Sequence, residues 1–221
     1  MTTVQAAPRP RRGPPLEFGD QLTAAEFDRR YECHPEIRKA ELIEGAVSMP
    51  SPVSIDDHGT PTNLMRTWLG TYAATTPGVQ AADDASVQLD GDNRVQPDCL
   101  LRRTEGGTSS VGEDEYLHGA PELVAEVAAS SASIDLGPKM RAYRRNGVQE
   151  YIVWQIYENR LDWFSLEDGE YRPLPPDGRG VIHGRVFPGL RLALAPLLAR
   201  DLAAVLKEQQ RPSRARRKTQ P

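Results

Sequence analysis

The sequence predicts a mixed α/β fold of the α+β kind: a mixed sheet with flanking helices, in one domain. Apolar residues at helical spacing and short runs of strand-forming residues succeed one another in the order helix, strands, helix, strands, unlike the strict alternation of a doubly wound sheet. The 221 residues suffice for one ordinary domain with its own core, and no internal repeat divides them. Hydrophobic residues at 38% and charged residues at 26% exclude collagen-like and wholly disordered classes.

Residues 1–15, rich in proline and arginine, read as a flexible lead, and 16–206 as the domain. Thr23 and Glu26 have the spacing of a capping box, which predicts a short helix running toward Tyr31. Residues 40–49 read as a strand that a turn at Gly45 would split into a hairpin, ended by Pro50 and Pro52. Leu64, Trp68, Leu69 and Tyr72 make an apolar stripe on a helix over 56–72, with Pro61 tolerated near its start and Pro77-Gly78 closing the element. Strands are expected at 85–89 and 98–101 around a turn at 90–93, and 104–120 reads as a polar insertion with little order. A strand over 122–128 leads through a loop at 130–133 to a helix that begins after Asp135 and is capped by Gly147. Residues 150–156 and 160–166 form a hairpin, 171–179 a proline- and glycine-rich loop, and 185–194 precedes a last helix over 195–206.

Charge is unevenly placed. The net charge is −4, but residues 1–12 hold three arginines and no acid, and 207–221 hold six basic residues and one glutamate. The rest carries 18 basic and 30 acidic residues, so the body lacks the bulk basic footprint of a typical nucleic-acid binder. Contact with nucleic acid would need a local basic strip or the basic, flexible tail at 207–221. No apolar run approaches the roughly 18 residues that span a bilayer, and the first residues lack the apolar stretch of a secretory signal. Cys33 and Cys99 alone make no disulfide framework, so reduced thiols in the cytoplasm are the expectation.

Asp98 opens an apolar strand directly after Pro97, which has no N–H to give a ladder. Period two puts Glu126 on one strand face with Val124 and Ala128, so its carboxylate would be buried mid-strand, at a cost unless a cation, a metal or hydrogen bonds compensate it. Lys139 would sit in the first turn of a helix capped by Asp135, where a cation opposes the macrodipole by up to about 1 kcal/mol. Tyr143, four residues on, shares its face. Two carboxylates and one lysine make a workable phosphodiesterase set: the acids hold a hard divalent ion and the lysine helps position or deprotonate the nucleophile and stabilises transition-state charge. The same spacing also admits a plain reading, with Asp98 capping a turn, Glu126 paired to an arginine and Lys139 solvated.

At these residues the sequence resembles the Uma-type family of restriction endonucleases, within the PD-(D/E)XK nuclease superfamily. The matching stretches are ELIEG (41–45), SIDDHG (54–59), QPD (96–98), PELVAEVAASSASIDLGPK (121–139) and RAYRRNGVQEYIVW (141–154), in family order over about 22–205. The resemblance implies a restriction-endonuclease-like core, a metal-dependent DNA endonuclease with Mg²⁺ or Mn²⁺ as cofactor, Asp98 as the acid of the PD motif and Glu126 as the second acid. The superfamily's lysine two residues after that acid is replaced here by Ala128, and Lys139 matches the place to which this family moves it. Glu41 resembles the upstream acid, a further metal ligand, with Glu44 competing for the role. Gln96, Tyr143 and His58 match family positions that support the ligands or touch substrate; for His58, capping the chain is the plainer reading.

His34, His118 and His183 have no partner at metal spacing, and Trp68, Trp154 and Trp163 fall in core patterns. Arg141, Arg144 and Arg145 are either the basic strip a phosphate backbone needs or a solvated face. The competing function is a catalytically silent nucleic-acid-binding or interaction module on the same fold; a carboxylate-pair glycosidase would leave Lys139 without a role. DNA is the expected partner, membranes are not, and a C2 homodimer would let two sites face two strands.

Overall fold

The computed structural model describes residues 13–49 and 54–211. The lead through residue 12, Pro50 and Pro52, and the tail beyond 211 lie outside the described residues. Helix α1 (Ala24–Cys33) starts at the expected cap, with Thr23 Oγ1 accepting from the Glu26 N–H at 3.3 Å. Only that half of the capping box forms, because Arg29 and Arg30 engage the Glu26 carboxylate. Strands β1 (Glu41–Ile43) and β2 (Ala46–Ser48) make the expected hairpin. Its two turn residues, Glu44 (φ 51°) and Gly45 (φ 79°), both take the left-handed conformation that matches strand twist in tight hairpins.

A wide π-type turn over Ile55–Gly59 feeds α2 (Thr60–Ala74), and the Ser54 side chain caps it by accepting from Asp57 N–H at 3.0 Å. Leu64, Trp68, Leu69 and Tyr72 are all buried, as their spacing predicts. Strand β3 (Val79–Ala82) comes next, where no element was expected; its sequence, VQAA, carries no periodic signal.

The largest correction concerns residues 85–103. β4 (Val87–Asp90) turns back through Gly91-Asp92 into β5 (Asn93–Val95), while β6 (Cys99–Arg103) leaves for a different sheet, so the two expected strands are not partners. The expected unordered insertion holds a small hairpin, β7 (Ser110–Val111) and β8 (Leu117–His118), whose Leu117 joins the core and whose second strand runs parallel to β4.

β9 (Leu123–Ala128) pairs antiparallel with β6 and parallel with β10 (Glu150–Gln155), which forms the expected hairpin with β11 (Arg160–Glu167). β12 (Glu170–Pro173) extends that sheet through a stretch expected as loop. The sheet orders are β2-β1-β5-β4-β8-β7 and β12-β11-β10-β9-β6-β3, so the mixed sheet of the sequence reading is two six-stranded sheets. Beyond a small pair, β13 (Val181–His183) and β14 (Arg191–Ala193), the last helix divides into α5 (Leu194–Leu198) and α6 (Leu202–Gln209), broken at Arg200 (φ 58°) and restarted by Asp201, whose carboxylate accepts from Ala204 N–H at 3.0 Å.

All six residues of β9 are buried, which places it between two apolar layers. Leu123, Ala125 and Val127 pack with α2, α5 and α6; Val124 and Ala128 cluster with Val87 and Val95 of the first sheet, Tyr143 of α4 and Tyr151 of β10. A third cluster seats Phe27 of α1 on Leu42 and Val47. Glu126 therefore stands on the face that meets the first sheet, the one shared with Val124 and Ala128.

After β9 the chain turns helical at α3 (Ala132–Ile134), passes a wide turn over Asp135–Lys139 and continues as α4 (Met140–Asn146). Asp135 is thus not the helix cap that the sequence suggested; helical backbone begins three residues earlier. The path kinks at Gly137 (φ −111°, ψ −106°), immediately before Pro138, whose ring disfavours helical backbone in the preceding residue. Gly147 (φ 83°) ends α4 as expected.

Candidate active site

Continuing the β6–β9 register one step past Cys99 and Ala125 sets Asp98 beside Glu126. The pair is cross-linked: Asp98 N–H donates to Glu126 Oε2 at 3.3 Å, and Val127 N–H donates to Asp98 Oδ2 at 2.8 Å. Only 5% of Asp98 and 3% of Glu126 is exposed.

Lys139 closes the set from the helical side. Its Nζ lies 2.8 Å from Glu126 Oε1, 3.0 Å from Glu41 Oε1 and 3.8 Å from Asp135 Oδ1. Tyr143 OH donates to Glu126 Oε1 at 2.9 Å, and Ser131 Oγ donates to Asp135 Oδ2 at 2.6 Å. Ser131, Asp135, Lys139 and Tyr143 recur every four residues along the kinked segment, which brings all four side chains to the site. Glu41, and not Glu44, is the acid brought to Lys139; Glu44 turns outward to Arg141 and Arg145. Gln96 supports Glu41 through its backbone, N–H to Oε1 at 2.7 Å, while its side chain donates to Ser86 Oγ at 3.2 Å.

His58 does not cap the chain, since Ser54 does. From the turn ahead of α2 it reaches across to place Nδ1 3.1 Å from Val127 O and Nε2 3.5 Å from Asp98 Oδ1. Both ring nitrogens face acceptors, which favours the imidazolium that donates to each. Two residues that the sequence reading missed complete the site. Lys39 Nζ lies 3.1 Å from Asp84 Oδ1 and 3.8 Å from Asp98 Oδ1, and its spacing of two from Glu41 was the available signal. Asp135 is the other, legible in the spacing of four from Ser131 and to Lys139.

The environments drive the two central acids apart. Burial pushes the Glu126 carboxyl up to about 8, against the pull of Lys139, with Asp98, Asp135 and Glu41 adding to the rise. Asp98 is buried too, but His58, Lys39 and the Val127 N–H outweigh that and hold it below the usual carboxylate range. Burial also disfavours the Lys139 ammonium, yet Glu126, Glu41 and Asp135 hold its pKa well above the ordinary lysine value. The hydrogen bond to Asp98 raises His58 despite partial burial.

Among the described residues no group of three or more His, Cys, Asp or Glu side chains is spaced to hold a metal ion. His34, His118 and His183 lie instead beside Glu36, Asp114 and Asp177, at 2.9, 2.9 and 3.1 Å. A divalent ion at the main site would be held by Asp98 and Glu126 with water, a sparse oxygen set of the kind Mg²⁺ accepts. Four buried acids, Glu41, Asp98, Glu126 and Asp135, gather here with Lys39, Lys139 and His58, and at Glu126 a cation would take the place of the proton that its raised pKa retains. A cleft of about 1140 Å³ opens over these side chains.

The sequence model described as "Uma2: Putative restriction endonuclease" matches residues 24–195. The chain belongs to the Uma2 family. Its fold is similar to that of a crystal structure described as "a putative nuclease belonging to DUF820" from Anabaena variabilis ATCC 29413, with a TM-score of 0.58 over 73% of this chain and 90% of that one. Sequence identity is 15%, so this likeness concerns the fold alone. No curated protein matches the chain. As a Uma2 protein the chain is restriction-endonuclease-like, and the family implies a nucleic-acid substrate. No helix among the described residues is long and apolar enough to cross a membrane.

Proposed function

We propose that this Uma2 protein is a metal-dependent endonuclease that hydrolyses phosphodiester bonds of DNA, with Asp98 and Glu126 holding Mg²⁺ or Mn²⁺. The observation that carries the reading is the juxtaposition of two buried carboxylates on adjacent strands with the Lys139 ammonium 2.8 Å from one of them. When bound, a divalent ion would neutralise the scissile phosphate and lower the pKa of the attacking water.

The chain's own groups would divide the remaining work. Asp98, kept ionised by His58 and Lys39, is the acid ready to take a cation. Glu126 has a raised affinity for protons, so a divalent ion arriving there would compete with a proton. Lys139 stays an ammonium, which makes it a poor proton acceptor. Its part is to orient Glu126 and Glu41 and to supply positive charge as the transition state gains negative charge. Tyr143 fixes the Glu126 rotamer through its hydroxyl. Glu41, tied to Lys139 and to the Gln96 N–H, is the third acid for the ion's outer contacts.

Supercoiled plasmid incubated with the full chain and Mg²⁺ or Mn²⁺ tests this. Nicking that disappears in Asp98→Ala, Glu126→Ala and Lys139→Ala, each shown to be folded by its thermal transition, is the expected result. Wild-type nicking no greater than that of Glu126→Ala sinks the reading.

A further inference from the structure

We propose that the strand this cleft takes is unpaired: single-stranded nucleic acid whose bases stack on the exposed rings of Phe18, Tyr116 and Tyr157. Cleavage of that strand at Asp98 and Glu126 rests on the nuclease reading, but strand binding stands by itself.

The large hydrophobic side chains exposed among the described residues are Phe18 (72%), Ile55 (75%), Val111 (56%), Tyr116 (44%) and Tyr157 (64%). The three aromatic ones all line the same cleft. They come from separate parts of the chain: Phe18 ahead of α1, Tyr116 in the β7–β8 turn and Tyr157 in the β10–β11 turn. Nothing in the core uses these rings. Convergence from three distant loops onto one opening is what a stacking platform requires, since every base has a π-face to offer.

The charge at the cleft argues against a duplex. A duplex-binding protein commonly neutralises about 6–10 phosphates with basic side chains. Here the lysines and arginines lining the cleft are Arg38, Lys39, Arg66 and Lys139. Lys39 pairs with Asp84, Arg66 with Asp83 and Asp84, and Lys139 with three acids, while Arg38 forms no ion pair among the described residues. Too little free positive charge remains to hold a duplex, whereas stacking needs little. Shape agrees. The acids at the cleft floor are 5% and 3% exposed, so a phosphate reaching them must ride on a thin, pliable backbone. Duplex DNA is stiff over about 150 base pairs. The cleft, at about 1140 Å³, exceeds the roughly 300–1,000 Å³ typical of small-molecule pockets and has room for several nucleotides.

Fluorescence anisotropy of labelled 12-nucleotide DNA and RNA strands, and of the same sequences as duplexes, tests the proposal on the full chain in chelator, where no cleavage intervenes. At least one single strand should bind about tenfold or more tighter than its duplex, and the DNA and RNA arms identify which. Tyr116→Ala and Tyr157→Ala should each weaken single-strand binding roughly five- to hundredfold, with Tyr116→Phe and Tyr157→Phe near wild type. Duplex binding as tight as single-strand binding, or alanine variants that bind like wild type, overturns it. So does a drop in molar mass by light scattering in the alanine variants with strand binding unchanged, which would make the rings a docking face for a second copy. Added Mg²⁺ separates the two readings. A strand bound through the tyrosines but never cut refutes the nuclease alone, and nicked duplex with no single-strand preference refutes only this inference.

Discussion

The Lys139 ammonium and the Glu126 carboxylate meet at 2.8 Å with both residues almost wholly buried, joining the kinked helical segment to the central strand of the second sheet. A buried ion pair contributes little net stability, but losing one partner is severe because the other is left charged and unsolvated. Lys139 has three carboxylates depending on it, so its loss is felt at each of them.

Lys139→Met should therefore destabilise the protein by about 3–5 kcal/mol in urea unfolding. Glu126→Gln added to Lys139→Met should recover part of that loss, because a buried amide needs neither a cation nor a bound proton. A double-mutant cycle reads the coupling directly; a value near zero would mean the two side chains do not share the contact.

Glu122 makes a useful contrast, being a second fully buried acid, four residues from Glu126 and just ahead of β9. Its partners are donors from β6 and the loop beyond it: Arg103 N–H at 2.8 Å, Thr108 N–H at 3.0 Å and Thr108 Oγ1 at 3.4 Å. It does not line the cleft, and no ion pair holds it among the described residues. Glu122→Ala should cost about 1–3 kcal/mol for each buried donor left without an acceptor, while whatever cleavage the folded fraction performs stays within about twofold of wild type. Loss of cleavage at full folding would place Glu122 in the site instead.

This contrast marks how far the sequence could be read. Glu126 stood out because period two in LVAEVA places it on an apolar face, and Asp98 because it follows Pro97. Lys139 stood out as a cation at a helix start, although its real setting is a kink after a helical turn that begins at Ala132. The same reasoning did not reach Glu122, at the strand's edge, where burial depends on a loop folding back over it. Nor did it reach Lys39, which lies ahead of β1 and approaches Asp98 only because the two sheets pack together. The exchange of strand partners between 85 and 103 was hidden for a related reason. Local pattern shows where strands begin and end, but pairing between sheets is decided by contacts distant in sequence.

If Asp98 and Glu126 hold a divalent ion, that ion stabilises the folded chain by mass action, by about 2.7 kcal/mol at a hundred times its dissociation constant. Thermal unfolding should shift upward with Mg²⁺ or Mn²⁺ in the wild type and lose the shift in Asp98→Asn. An equal shift in both proteins would assign the ion to some other place.

Asp90 gives the acid limb a defined contributor. Partial burial works against its charge, but donors from Asn146, the Asp92 N–H, Asn93 and Arg145 outweigh it and hold the carboxyl at about 2, down from an ordinary 3.8. A depressed carboxylate stabilises the fold fully above its unfolded pKa, and that share is lost as pH falls through the folded value. The stability difference between wild type and Asp90→Asn should thus stay level above about pH 5 and shrink between about pH 4 and pH 2. A difference independent of pH in that window would show that the hydrogen bonds at Asp90 do not favour its charged form.

The arginines of α4 settle a question that the sequence left even. Arg141 donates to Glu44, Arg144 pairs with Glu170, and Arg145 pairs with Asp90, so each guanidinium already faces an acid. A phosphate approaching them would have to displace those carboxylates, and the positive field they offer is largely cancelled. Arg38, exposed on the cleft and without an acid partner among the described residues, has no such competitor. Binding of a single strand measured across a salt series separates the two groups, because each phosphate contact adds about 0.7 to the slope of log affinity against log salt. Arg38→Gln should lower that slope by about 0.7. Arg141→Gln, Arg144→Gln and Arg145→Gln should leave it unchanged, and a fall of similar size in any of those three would make α4 part of the nucleic-acid surface.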